Sequence, residues 1–139
     1  RYENKISLII NDDIPDSNKY SVPPLLIHSF VENSVVHGLK KGVNDFTITI
    51  DLKTNNDYLY INVTDNGVGL RAKEHDSALT DKTSLGIDFM RKRLSRLSAF
   101  YKVSFSLEIN NRTGSGQRGT EVAIVLYAKL GNAEKNVGG

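Results

Sequence analysis

The sequence predicts an α/β two-layer sandwich, a mixed sheet of about five strands covered on one face by helices. Three observations lead there. Over residues 46–53 the apolar Phe46, Ile48, Ile50 and Leu52 alternate strictly with Thr47, Thr49, Asp51 and Lys53, the period of a strand with one buried face. Apolar residues recur at helical spacing in two other stretches, one ending near Leu39 and one beginning at Ile87. Neither an internal repeat nor an interior linker divides the 139 residues, of which 39% are hydrophobic, so strands and helices must share one core.

In chain order, Ile6-Ser7-Leu8-Ile9-Ile10 is a strand, and 11–21 is a polar connection punctuated by Pro15. Pro23-Pro24 suits the first turn of a helix, where a missing amide hydrogen costs nothing, and this helix runs to about Leu39. Leu25, Ile27, Val31 and Val35 are its packing residues, Gly38 or Gly42 its terminator, and Lys40 and Lys41 suit the negative end of its dipole. After the strand at 46–53 and a Thr54-Asn55-Asn56-Asp57 turn, Leu59, Ile61 and Val63 repeat the alternation, which predicts an antiparallel hairpin with Asp65 at its end. Residues 71–83 are polar and without sustained period, as in a mobile lid. Ile87, Met90, Leu94, Leu97 and Tyr101 then form the buried stripe of a second helix that exposes Arg91, Lys92, Arg93 and Arg96. Two more strands carry Val103, Phe105, Leu107 and Ile109, and Val122, Ile124 and Leu126, separated by a Gly-rich turn. The predicted domain is 1–128, with 129–139 a frayed tail.

A net charge of +2, with no basic run interleaved with aromatics, gives no electrostatic case for nucleic acid or a membrane surface. Absence of cysteine excludes disulfides and thiolate metal sites. There is no apolar span of about 18 residues and no Gly-x-x-x-x-Gly-Lys-Ser/Thr loop. The three histidines, His28, His37 and His75, lack the partners of a zinc site.

Two stretches concentrate polar groups in apolar surroundings. In Phe30-Val31-Glu32-Asn33-Ser34-Val35-Val36-His37-Gly38, Asn33 and His37 lie one helical turn apart with Glu32 beside them. Such groups form either a helix-end network with its own partners or a ligand site. In Asp65-Asn66-Gly67-Val68-Gly69 a strand runs into an acid and two spaced glycines, which is either an ordinary turn or an acceptor beside backbone that a ligand can approach closely.

Together with Leu85-Gly86-Ile87 running to Arg91-Lys92-Arg93-Leu94, and with Gly119-Thr120, these motifs resemble the ATP-binding catalytic domain of sensor histidine kinases, within the wider group shared with gyrase, Hsp90 chaperones and MutL ATPases. Val22-Pro23-Pro24-Leu25-Leu26 and the Arg-Lys-Arg-Leu turn resemble the LytS-like branch. The resemblance implies a Bergerat-type fold, with ATP and Mg2+ as cofactors. It implies that Asp65 receives the adenine amino group, helped by Thr120 through water, over a floor shaped by Gly67 and Gly69. Asn33 would hold magnesium, Glu32 would act as the base, and amides at the start of the helix carrying Gly86 would meet the phosphates. The family's basic residue before His37 is Val36 here, which passes the phosphate grip to His37, Lys40 or Lys41. Its glycine two places before Gly86 is Ser84, its asparagine three places after is Phe89, and its glutamine before the Glu-Asn pair is His28.

The function so implied is transfer of the ATP γ-phosphate to a histidine on a preceding dimerisation segment, followed by a response regulator, in the cytoplasmic domain of a membrane-anchored, homodimeric receptor. A nucleotide-binding or interaction module with little catalysis, or a serine kinase of the anti-sigma type, is the alternative that the same pocket would serve.

Overall fold

The computed structural model describes residues 5–16, 18, 20, 22, 25–39, 43–70, 77–112 and 114–127, with 77–87 described through their backbone. The elements are β1 (Lys5–Asp13), α1 (Leu26–Gly38), β2 (Asp45–Asn55), β3 (Tyr58–Asp65), α2 (Ser77–Tyr101), β4 (Phe105–Asn111) and β5 (Thr120–Tyr127). They build one five-stranded sheet in the order β1-β2-β3-β5-β4. Only β1 and β2 run parallel; the remaining neighbours are antiparallel, so the sheet is mixed as predicted.

The alternation seen in the sequence becomes a common face through the register. Ile50 opposes Val63, Val63 opposes Val122, and Val122 opposes Ile109, while Leu52, Ile61, Ile124 and Leu107 form the next row. Leu26 and Phe30 of α1 and Met90 and Leu94 of α2 close the same apolar cluster, so both helices lie on one face of the sheet. Helix α1 rests over β3 and β5, and α2 over β4. The opposite face is polar or half-buried and is laced by pairs such as Asn62 Nδ2 donating to Glu121 Oε1 at 2.8 Å. One covered and one solvated face is the usual arrangement of a largely antiparallel sheet.

Three boundaries differ from the sequence reading. Helix α1 starts at Leu26, after the prolines, because Leu25 adopts φ 62°, a left-handed conformation through which a right-handed helix cannot continue. Its buried ridge is accordingly Leu26, Phe30, Ser34 and Gly38; Ile27, Val31 and Val35 are half-buried and Leu25 is exposed. Strand β1 continues to Asp13, since parallel pairing with β2 carries Asn11, Asp12 and Asp13 along in register with Asp51, Leu52 and Lys53.

Helix α2 starts at Ser77, so the later part of the stretch read as a lid is helical, while 71–76 lie outside the described residues. No proline interrupts 77–101, and Ala78, Leu79 and Lys82 favour helix. The helix closes with Lys102 at φ 54° and the Val103 amide donating to the Ser98 carbonyl at 3.0 Å, a Schellman-type end. Gly38 does terminate α1. The expectations for Lys40, Lys41, Gly42 and the tail at 129–139 also fall outside the described residues.

Candidate functional site

Asp65 is the last residue of β3 and stands on the helix-covered face, opposite Ile48. It is 3% exposed, one of two buried polar or charged residues among those described; the other is Ser34. A carboxylate there must be hydrogen-bonded to be tolerated. Its Oδ1 accepts from the Gly67 amide at 2.8 Å and the Thr120 amide at 3.3 Å, and the Ser34 hydroxyl bonds it from α1. Burial raises its pKa above the ordinary aspartate value, opposed by these three hydrogen bonds and by the positive charge of Arg112. An ionised carboxylate has about four acceptor positions, so three bonds leave room for one further donor.

The loop after Asp65 can follow its course only because it is built on small residues. A Cβ on Gly67 would lie 2.5–2.7 Å from the Gly38 backbone, and the Val68 amide donates to the Gly38 carbonyl at 3.2 Å. The end of α1 and the Asp65 loop therefore press backbone to backbone, which joins the two sequence motifs. Gly69 has φ 78°, and a Cβ there would stand 2.8 Å from Asn111 Oδ1.

Several residues that hold the site have no distinctive local pattern. Asn66 extends the β2–β3 ladder with its side chain: Oδ1 accepts from the Thr47 amide at 2.7 Å, and Nδ2 donates to the Asp45 carbonyl at 2.8 Å. Asn111, at the end of β4, accepts from the Leu70 amide and donates to the Leu70 carbonyl. Arg112 donates to the Asp65 carbonyl at 3.5 Å. Their partners are 19 to 47 positions away, beyond any periodicity; the only local cue is that amides favour turns. Asn66→Ala removes two bonds and should lower stability by about 1–3 kcal/mol in urea denaturation. A midpoint unchanged within error would show that these bonds are replaced by water without cost.

The structure thus brings together Asp65, Gly67, Gly69 and Thr120 around the end of the sheet. Asn33 is half-buried on the shoulder of α1, and His37 is exposed in its last turn. Glu32 lies roughly 180° around the helix from the buried ridge, its side chain 67% exposed and 3.8 Å from His28 Nε2. Gly86 sits inside α2, nine residues after Ser77, so its amide is not at a helix start; the helix extending back to Ser77 moves that end away.

Chemically, the site offers a buried acceptor, Asp65, framed by the closely packed backbone at Gly67 and Gly69. The family model HATPase_c, described as histidine kinase-, DNA gyrase B- and HSP90-like ATPase, matches residues 23–130. Sensor protein LytS of Staphylococcus epidermidis is 30% identical over 140 residues, covering 96% of this chain and 22% of that protein. The chain therefore spans about a fifth of that relative's length. Among solved structures, the histidine kinase domain of the blue-light activated histidine kinase of Erythrobacter litoralis superposes with a TM-score of 0.54 at 18% identity, over 90% of this chain and 52% of that one. The mycobacterial sensor histidine kinase MprB gives 0.56 at 13% identity, over 89% and 83%. At these identities the structural matches speak for the fold.

Proposed function

The chain belongs to the family of histidine kinase-, DNA gyrase B- and HSP90-like ATPases, and from that membership we propose that it is the ATP-binding catalytic domain of a two-component sensor histidine kinase. In this reading it passes the γ-phosphate of ATP to a histidine carried elsewhere in the parent protein. The observation that carries it is buried Asp65 with an acceptor position to spare, framed by Gly67, Gly69 and Thr120. That is the complement of an adenine amino group: a donor meeting a carboxylate at the end of the sheet.

The donor set also fits a magnesium nucleotide. Among the described residues no three His, Cys, Asp or Glu side chains converge on a metal, and the half-buried amide oxygen of Asn33 is a single hard ligand. Magnesium keeps most of its shell as water and phosphate oxygen, so one protein oxygen is in keeping with its habits. When bound it would neutralise charge on the phosphates. Glu32, exposed on the outer side of α1, would accept a proton from an imidazole that approaches from outside the domain. His37 contributes a phosphate contact from the last turn of α1.

The parent is then a membrane-anchored homodimer with a cytoplasmic kinase domain and a response regulator downstream. No helix among the described residues is long and apolar enough to cross a membrane. The test uses γ-labelled ATP and Mg2+. This chain should bind an ATP analogue yet take up no stable label on histidine, because His28 and His37 lie on the site helix itself and His75 in the segment between β3 and α2. Label should appear on the acceptor segment of the parent when that is supplied. Absence of nucleotide binding would overturn the reading; acid-labile, base-stable label on this chain would place the acceptor within it.

A further inference from the structure

We propose that β1 is a self-association edge, through which two copies of this chain pair antiparallel about a twofold axis at Ile9, joining two five-stranded sheets into one of ten. The two edges of the sheet are unlike. On β4 the outward residues Ser106, Glu108 and Asn110 are polar, the usual protection of a free edge. On β1 the exposed residues include four large apolar ones, Ile6, Leu8, Ile9 and Ile10, at 51%, 53%, 46% and 57%. Ile6, Leu8 and Ile10 are in register with buried Phe46, Ile48 and Ile50, so they prolong the core face. The helices stand over β3, β5 and β4 and leave that stretch uncovered among the described residues. Ile9 is on the other face, beside Thr49. A strand that is apolar along one face, carries Ile9 at the centre of the other and is unpaired along one side is complementary to another such strand.

Charge selects the occupant and the register. Pairing about Ile9 sets Lys5 of one copy opposite Asp13 of the other, twice by symmetry, Ile6 opposite Asp12, Ser7 opposite Asn11, and Leu8 opposite Ile10. Lys5 and Asp13 have no other ion pair among the described residues. Opposed residues of an antiparallel pair must share a face, so the next allowed registers differ by two residues in the pairing sum. One of them sets Lys5 against Asn11 and the other Asp13 against Ser7, and both lose the ion pairs. The surface is separate from the nucleotide site and does not depend on it.

Sedimentation velocity on this chain from about 5 µM to about 0.5 mM should show a concentration-dependent dimer, as expected for a small interface. Ile9→Lys, which puts like charges on the axis, should abolish it. Lys5→Asp should weaken association by about tenfold, and the exchange Lys5→Asp with Asp13→Lys should restore it. Far-UV circular dichroism on each variant shows that the fold is kept; the two charge substitutions sit on exposed residues and do not touch the core. A monomer throughout the range, a dimer that survives Ile9→Lys, or an exchange variant as weak as the single one would each overturn the proposal.

Discussion

Asp65→Asn is expected to weaken binding of an ATP analogue by about ten- to a hundredfold without lowering the melting temperature. The Gly67 and Thr120 amides both donate to Oδ1, so an asparagine keeps its carbonyl oxygen there and turns its NH2 outward. A donor then faces the adenine amino group, another donor. The loss is a charged hydrogen bond, about 1.5–3 kcal/mol, with an unpaired donor added. Stability runs the other way. Because burial raises the folded-state pKa of Asp65, its contribution to stability is full below the unfolded value and is lost as pH rises through the folded one. Replacing the charge removes a penalty present at neutral pH. Nucleotide affinity, which needs the ionised acceptor, should also decline on acidification at a pH above that of an exposed aspartate. Calorimetric titration of both proteins checks each point; unchanged affinity in the variant would remove Asp65 from the site.

What the residues revealed in advance follows from the range of the forces involved. Burial of one sheet face acts on every second residue, so β2, β3, β4 and β5 were visible as alternation, and the hairpin placed Asp65 at a strand end. The end of β1 was not visible, because Asn11, Asp12 and Asp13 are strand residues only through β2, and Asn11 Nδ2 donates to Asp51 at 2.7 Å across that pairing. The α1 ridge was misjudged by one position at Leu25, whose left-handed φ is a property of the approach to the helix rather than of leucine. At the candidate site, Asp65, Gly67 and Gly69 stand out in the sequence by type and spacing, and Thr120 through the family resemblance alone. Ser34 carries no signal of its own between Asn33 and Val35, yet its side chain bonds Asp65 from α1. The start of α2 at Ser77 was hidden by Ser, Thr and Asp, which are only middling helix formers, and by the absence of an apolar period.

Gly119→Ala should be among the most damaging single substitutions in the chain, and the site explains why. Gly119 has φ 112°, which side-chain-bearing residues rarely adopt, and a Cβ there would lie 1.8 Å from the Asp65 carbonyl oxygen and 2.9 Å from Asn66 Cα. These are backbone atoms at the end of β3 and cannot swing aside as a flexible side chain would. Relief requires β5 to move away from Asp65, which would also break the Arg112 amide's bond to the Gly119 carbonyl, 3.0 Å, and the Thr120 amide's bond to Oδ1. The expected loss is about 3–5 kcal/mol, or a melting temperature lower by about 10–20 °C. Gly116→Ala separates strain from collision, for Gly116 has φ 76° with nothing within 4 Å of a Cβ. It should cost about 1 kcal/mol, the left-handed penalty alone. Thermal melts of the two variants, with analogue binding by any Gly119→Ala protein that folds, give the comparison. If both melted within a degree or two of each other, close packing of β5 against the Asp65 backbone would not be what holds this end of the site together.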